Sequence, residues 1–154
     1  DVEMGDNEAS IEETIRALFR AQRLAVLSTH SPEQPYASLV AFAASDDLRY
    51  LYLATAKTTR KYHHLESDPR VAMLVDSRSN QESDVHSAIA VTATGRAVEV
   101  SGNERDLGAR LYLSKHPYLQ DFVRAPSCAL IRVEVDTYYL VSRFQHVMEL
   151  HILP

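Results

Sequence analysis

The segment 51–61, Leu51-Tyr52-Leu53-Ala54-Thr55-Ala56-Lys57-Thr58-Thr59-Arg60-Lys61, gathers the residue types best suited to chemistry in this chain. Its apolar, β-forming part ends at Thr55, a short polar stretch follows, and a helix is predicted from about Thr59. The first turn of a helix exposes unpaired amides and the positive end of the dipole, and so attracts phosphate. The hydroxyls of Thr58 and Thr59 and the adjacent cations Arg60 and Lys61 would add charge-assisted hydrogen bonds, without any glycine-rich loop. Cations at this end of a helix are unfavourable by roughly a few tenths of a kcal/mol, which an anionic partner would offset. The same residues also fit a solvated helix start whose cations balance Glu66 and Asp68. Spacing alone leaves both readings open.

The elements that must position this segment can be read from the patterning. Residues 1–9 read as a loose leader, and Ser10 with Glu13 as a capping box that opens a helix. Ile11, Ile15, Leu18 and Phe19 continue at helical spacing to about residue 22 or 23. The division expected is therefore a leader and helix over 1–23 and one domain over 24–154. Strands are predicted over 24–29, 36–43 and 49–55, separated by the turns Ser31-Pro32-Glu33-Gln34-Pro35 and Ser45-Asp46-Asp47. A helix over 59–67, with Tyr62 and Leu65 facing inward, ends at Asp68-Pro69. The apolar run 71–75 reads as a strand covered on both faces, and 77–84 as a polar loop. A long strand over 88–100 carries Ile89, Val91, Ala93 and Ala97 on one side and bends at Gly95. Ser101 and Glu104 form a second capping box before a helix that breaks at His116-Pro117, with a further helical turn in 118–123. Ala129, Ile131, Val133 and Val135 alternate as a strand, and 138–142 and 147–152 form a hairpin around Arg143-Phe144-Gln145. About eight strand segments with peripheral helices predict a mainly β architecture, an antiparallel barrel closed or partly closed.

Thr59-Arg60-Lys61, the short helix after it, and Asp68-Pro69-Arg70-Val71-Ala72-Met73-Leu74-Val75 together resemble the signature of the pyridoxamine 5'-phosphate oxidase-like, FMN-binding split barrels. The resemblance extends over about 24–152, through the strand Tyr36-Ala37-Ser38-Leu39-Val40, Gly95-Arg96-Ala97 and the hairpin that begins Tyr138-Tyr139. It implies a split β-barrel holding FMN, with Arg60 and Lys61 on the phosphate and Thr59 hydrogen-bonded to it. Ala54 and Thr55 would touch the cofactor, and Ser38, Leu39 and Val40 would lie along its ring or ribityl chain. The resemblance also implies a homodimer whose second subunit completes the pocket, with Arg143, Gln145 and Asn80 as the residues that cross over. Barrel edges that need cover point the same way.

The substrate half of that signature is absent. The 36–44 strand has no lysine, His116-Pro117 stands nearest to the family's Arg-Pro, and Glu149 falls near where a late arginine is expected. The expectation is thus an FMN-dependent oxidoreductase of an unidentified small molecule, with no general acid or base legible. A non-catalytic flavin module and a haem-binding or haem-degrading relative are the alternatives, and deazaflavin could replace FMN. For a haem relative His146 or His151 would be the ligand, though a surface role is the plainer reading.

Composition bounds the rest. A net charge of -5 argues against a general grip on nucleic acid. Cys128 is alone, so it makes no internal disulfide, and its place beside Ala129-Leu130-Ile131 reads as buried strand. His63 and His64 are adjacent on a helix and face apart, and no thiolate set accompanies them, so no metal site is expected. No signal segment or membrane-length apolar run is recognisable, and a cytoplasmic location is expected.

Overall fold

In the computed structural model the described residues are 2–143 and 146–154, the side chains of 2–7 excepted. Chain order is α1 (Val2–Ala21), β1 (Leu24–Thr29), β2 (Tyr36–Ala41), β3 (Ala43–Ala44), β4 (Tyr50–Ala56), α2 (Arg60–Ser67), β5 (Arg70–Asp76) and α3 (Asp84–Ser87). It continues with β6 (Ala90–Glu99), α4 (Gly102–Lys115), a 3-10 turn (Pro117–Leu119), α5 (Gln120–Arg124), β7 (Cys128–Ser142) and β8 (His146–His151). All strand pairs are antiparallel, in the order β2-β1-β5-β6-β7-β4-β3, with β8 added on β7. The two ends of that order, β2 and β3, are one bent stretch of chain interrupted only at Phe42. The sheet therefore curls back on itself as a split β-barrel. Phe42 secures the join: its amide donates to the Arg23 carbonyl at 3.2 Å and its buried ring meets Phe19 edge-on.

Period-two patterning fills the barrel. Leu27, Leu51, Leu53, Met73, Val91, Ile131 and Val133 are buried in one core, and Ile15, Leu18 and Phe19 of α1 join it. A second core, with Tyr52, Leu130 and Tyr112, lies outside β4 and β7 under α4 and α5. The bend expected at Gly95 is present. Thr94 pairs with Thr137 and Gly95 with Val135, so Asp136 is an extra residue on β7. A Cβ at Gly95 would stand 2.2 Å from the Glu134 carbonyl oxygen, a distance only glycine avoids. The same bulge flips the faces of β7: Ala129 through Val135 point inward on odd numbers, Tyr138 and Leu140 on even ones.

Several expectations need correction. Residues 2–9 are helical, not a loose leader, and Ser10 lies inside α1, where its carbonyl accepts from the Thr14 hydroxyl at 2.8 Å. Helical residues precede Ser10, so its amide and those after it can bond carbonyls one turn back and need no cap there. Ser101 does precede α4 but makes no capping bond through its side chain. The run 71–75 is covered on one face only within the chain: Val71, Met73 and Val75 are buried, while Ala72 and Leu74 are half-exposed. The 129–135 and 138–142 segments are one strand, kept continuous by the bulge.

Candidate functional site

The split in the barrel follows from pairing. β3 meets β4 only at Leu51 and Tyr52, after which the two edges part. Residues 53–56 of β4 are then held by β7, and β2 by β1, so the two edges are not laddered to each other; the buried Tyr112 hydroxyl reaches the β2 edge, donating to the Ala41 carbonyl at 3.2 Å. Ser38, Leu39 and Val40 lie on one edge, Ala54 and Thr55 on the other. Backbone amides and carbonyls along such edges need partners. Side chains alternate: Val40 and Thr55 are buried inward, whereas Leu39 faces out, 64% exposed, and Ala54 packs on the second core. Val40 can therefore offer only its backbone. The Ser38 hydroxyl is buried with no hydrogen-bond partner, a polar atom left for something else to satisfy.

Helix α2 begins at the end of β4. Thr59 is its N-cap, with extended φ and ψ, and its hydroxyl accepts from the Tyr62 amide at 3.3 Å. That hydroxyl also meets the Thr55 hydroxyl at 2.8 Å and donates to the Ala56 carbonyl at 2.9 Å. Thr59 is thus committed to shaping the turn. The Arg60 and Lys61 amides, the first two of the helix, have no capping partner among the described residues and are the free donors. The Arg60 guanidinium stands 5.6 Å from the centre of the Tyr36 ring, which fixes it at the mouth of the split. Tyr36 in turn meets His64 edge-on, and His64 Nδ1 bonds the Thr29 hydroxyl at 3.0 Å.

The acids that might have neutralised these cations are engaged elsewhere. Asp68 holds Arg70 at 2.8 Å, and that guanidinium keeps its carboxyl well below the usual carboxylate range. Glu66 lies 3.7 Å from His63 Nδ1, a contact that is an ion pair only when the imidazole is protonated. Glu99 takes Lys57 at 3.6 Å and the Tyr62 hydroxyl at 2.6 Å, a bond that pushes the phenol up to about 12. Among the described residues, neither Arg60 nor Lys61 has a carboxylate partner. The corner combines orphan amides, unpaired cations and a helix dipole, a donor set complementary to a phosphate.

The sequence model of the pyridoxamine 5'-phosphate oxidase family matches residues 11–142. The chain belongs to that family. No curated protein sequence matches it. Among solved structures it resembles a heme binding protein from Mycobacterium smegmatis, at 17% identity and a TM-score of 0.81, covering 91% of this chain and 57% of that one. It also resembles General Stress Protein 26 from Bacillus anthracis str. Sterne, at 22% identity and a TM-score of 0.71, covering 92% and 98%. A FAD-binding protein from Mesorhizobium loti is 22% identical, with a TM-score of 0.61 and coverage of 81% and 89%. The chain thus spans little more than half of the first of these relatives and nearly all of the second. At such identities the likeness shows the shared split-barrel fold.

Other expected site residues of this family member lie apart. Asn80 and Arg143, both with positive φ, sit beyond the ends of β5 and β7 that are remote from α2. Seven-residue β5 (Arg70–Asp76) separates the two ends by about 20 Å. The Asn80 amide is used locally, donating to Asp84 at 2.7 Å. Gln145 lies outside the described residues. His116, nearest to the family's Arg-Pro element, is fully buried, with Nε2 donating to the Phe42 carbonyl at 2.8 Å, so it grips the barrel join and no substrate. Burial, with Lys115 and Arg23 nearby, holds its imidazole below the ordinary value. Cys128 is buried and its thiol is pushed up by burial. Among the described residues no His, Cys, Asp and Glu cluster could hold a metal, and no helix is long and apolar enough to cross a membrane. Tyr36 and Glu99 were the site neighbours that sequence reading missed. Their only signal is contact with α2 across the fold.

Proposed function

We propose that this chain binds FMN along the split and acts as a flavin-dependent oxidoreductase on a small molecule. The observation that carries the reading is the corner at α2: free Arg60 and Lys61 amides and two cations without acids, at the mouth of a gap in the barrel. The donor set suits a phosphate monoester. The unladdered edges of β2 and β4 and the orphan Ser38 hydroxyl suit the polar rim of a flavin ring. Bound flavin would supply the redox chemistry; the chain would bind, orient and shield it.

The reading includes a homodimer. Val26, Leu39, Leu74, Tyr139, Val141 and Val147 lie on the outward face of the sheet, half-buried or exposed, with Leu39 64% and Val147 57% open to solvent. A second copy seated there in reverse sense would bring its Asn80 loop and Arg143 toward the α2 corner, the route by which those residues would reach the cofactor. A non-catalytic flavin module is the second reading, favoured by the side chains at the split: Ser38, Val40, Ala54 and Thr55 include no titratable group. Of the two histidines a haem relative would use, His151 has its nitrogens in contact with Thr137 at 3.2 Å and Glu149 at 3.1 Å, while His146 is exposed on β8.

The visible spectrum of the purified protein, before and after addition of FMN, tests the reading. Flavin bands that stay with the protein on gel filtration are expected; a Soret band, or flavin that elutes free, overturns it. NADH or NADPH turnover with an acceptor then separates the enzyme from the module.

A further inference from the structure

Away from the split, at the opposite end of β4, a cavity of about 270 Å³ lies between α1, α4 and the turn after β3. Its walls are largely apolar, from Phe19, Ala43, Ala44, Leu48 and Leu111, and Lys115 enters it from the last turn of α4. Lys115 Nζ donates to the Phe19 carbonyl at 2.8 Å and stands 3.9 Å from the centre of the Phe42 ring. Among the described residues it meets no carboxylate, and an ammonium has three donors to satisfy. The other charged groups around the cavity are differently placed. Arg16 is taken by Glu12 at 3.2 Å, Glu13 at 3.7 Å and the Asp46 carbonyl at 2.8 Å, and Arg20 reaches Glu13 at 3.8 Å. Asp46 lines the same cavity, and His116, beside Lys115 in sequence, is turned to Phe42. Lys115 is therefore a cation paired with no carboxylate among the described residues, set where apolar walls meet a polar rim of Arg16, Arg20, Ser45, Asp46 and Ser114.

We propose that this cavity is a second binding site, for a small amphipathic monocarboxylate whose head group pairs with Lys115 and whose apolar body fills the chamber. The volume lies just under the range of drug-sized pockets, roughly 300–1,000 Å³, and suits a body of about ten non-hydrogen atoms. A carboxylate supplies the missing acceptor in a low-dielectric setting, where a charge-assisted bond is strong. The apolar body gains from leaving water. A dianionic phosphate fits less well, since Arg16 is already shared by Glu12, Glu13 and the Asp46 carbonyl, and the acidic Asp46 lines the same cavity. The site is separate from the α2 corner proposed for flavin, which lies toward the other end of β4.

Burial holds the Lys115 ammonium down to about 8, which gives the test its pH signature. Octanoate is titrated into the full chain and followed by calorimetry and by the methyl resonances of Leu48 and Leu111, with octanamide as the uncharged isostere. Octanoate is expected to shift those methyls and to bind at least tenfold tighter than octanamide. Its affinity should be level from about pH 6, where octanoate is ionised, to pH 8 and fall up to tenfold per pH unit above that, because only the charged amine attracts the ionised ligand. Lys115→Met, checked for folding by circular dichroism, should lose the preference for the acid. The wild-type comparison of acid and amide, and the pH profile, decide the matter even if that variant does not fold. Equal binding of acid and amide, affinity unchanged from pH 7 to 10, or no shift at the two leucines overturns the proposal.

Discussion

Replacing Arg60 and Lys61 together by alanine isolates the phosphate corner from the rest of the fold. Arg60 is exposed, Lys61 is half-buried, and neither makes an ion pair whose loss would be felt by the folded state. The packing lost is the approach of Arg60 to Tyr36, a cation–π contact of about 0.5–1 kcal/mol, together with that of the stem of half-buried Lys61. Folding stability should therefore fall by no more than about 1 kcal/mol. Cofactor binding should suffer far more. Each charge-assisted bond to a phosphate contributes about 1.5–3 kcal/mol, so losing both weakens FMN by about 3–6 kcal/mol, a factor of roughly 10² to 10⁴ in Kd. Solvent exposure places the expectation at the lower end, and added salt should narrow the gap between the two proteins. Quenching of FMN fluorescence on titration measures both affinities, and urea unfolding measures the stability. A double variant that binds FMN as tightly as the parent, at low salt and with unchanged unfolding, refutes the reasoning.

Other consequences concern the frame that holds the site. Gly95→Ala drives a Cβ into the Glu134 carbonyl, and neither strand can yield, so about 3 kcal/mol or more of stability should be lost. By thermal unfolding that is a fall of roughly 6–12 °C for a chain of this size; an unchanged midpoint would mean that the bulge relaxes freely. Tyr138→Phe removes the donor to the buried Leu48 carbonyl, now bonded at 2.6 Å, and should cost about 1–3 kcal/mol in urea unfolding. Burial places the folded-state value of His116 below its unfolded one, near 6.5. The stability it contributes is then present above that pH and lost as pH falls through the folded value. Its imidazole resonances should titrate below 6.5 or not at all; titration above 6.5 would contradict the burial.

Much of this was legible because local chemistry and tertiary packing agree. Leu24–Thr29 is a strand with the bounds its composition suggests, and Asp68-Pro69 ends α2 where the residue before proline must leave helical geometry. Gly95 announced the bend, although the extra residue sits on the partner strand at Asp136, where nothing in composition marks it. The capping-box pattern at Ser10 misled, because the helix begins earlier and runs through Gly5, Asp6 and Asn7 despite their weak helix propensity. At the site, the strand–turn–helix at Thr55 to Lys61 was readable. The committed hydroxyl of Thr59, the link of Tyr36 to Arg60 and the diversion of Glu66 and Asp68 depend on contacts across the fold. Leu39 likewise shares a strand with Ser38 and Val40 yet faces away from them, a consequence of the pleat.

A crystal structure of the protein soaked with FMN addresses the central claim most directly. The account predicts phosphate oxygens about 3 Å from the Arg60 and Lys61 amide nitrogens, with the ring lying between the edges of β2 and β4. Phosphate density at any other place on the barrel, or flavin bound with the start of α2 left bare, would contradict it.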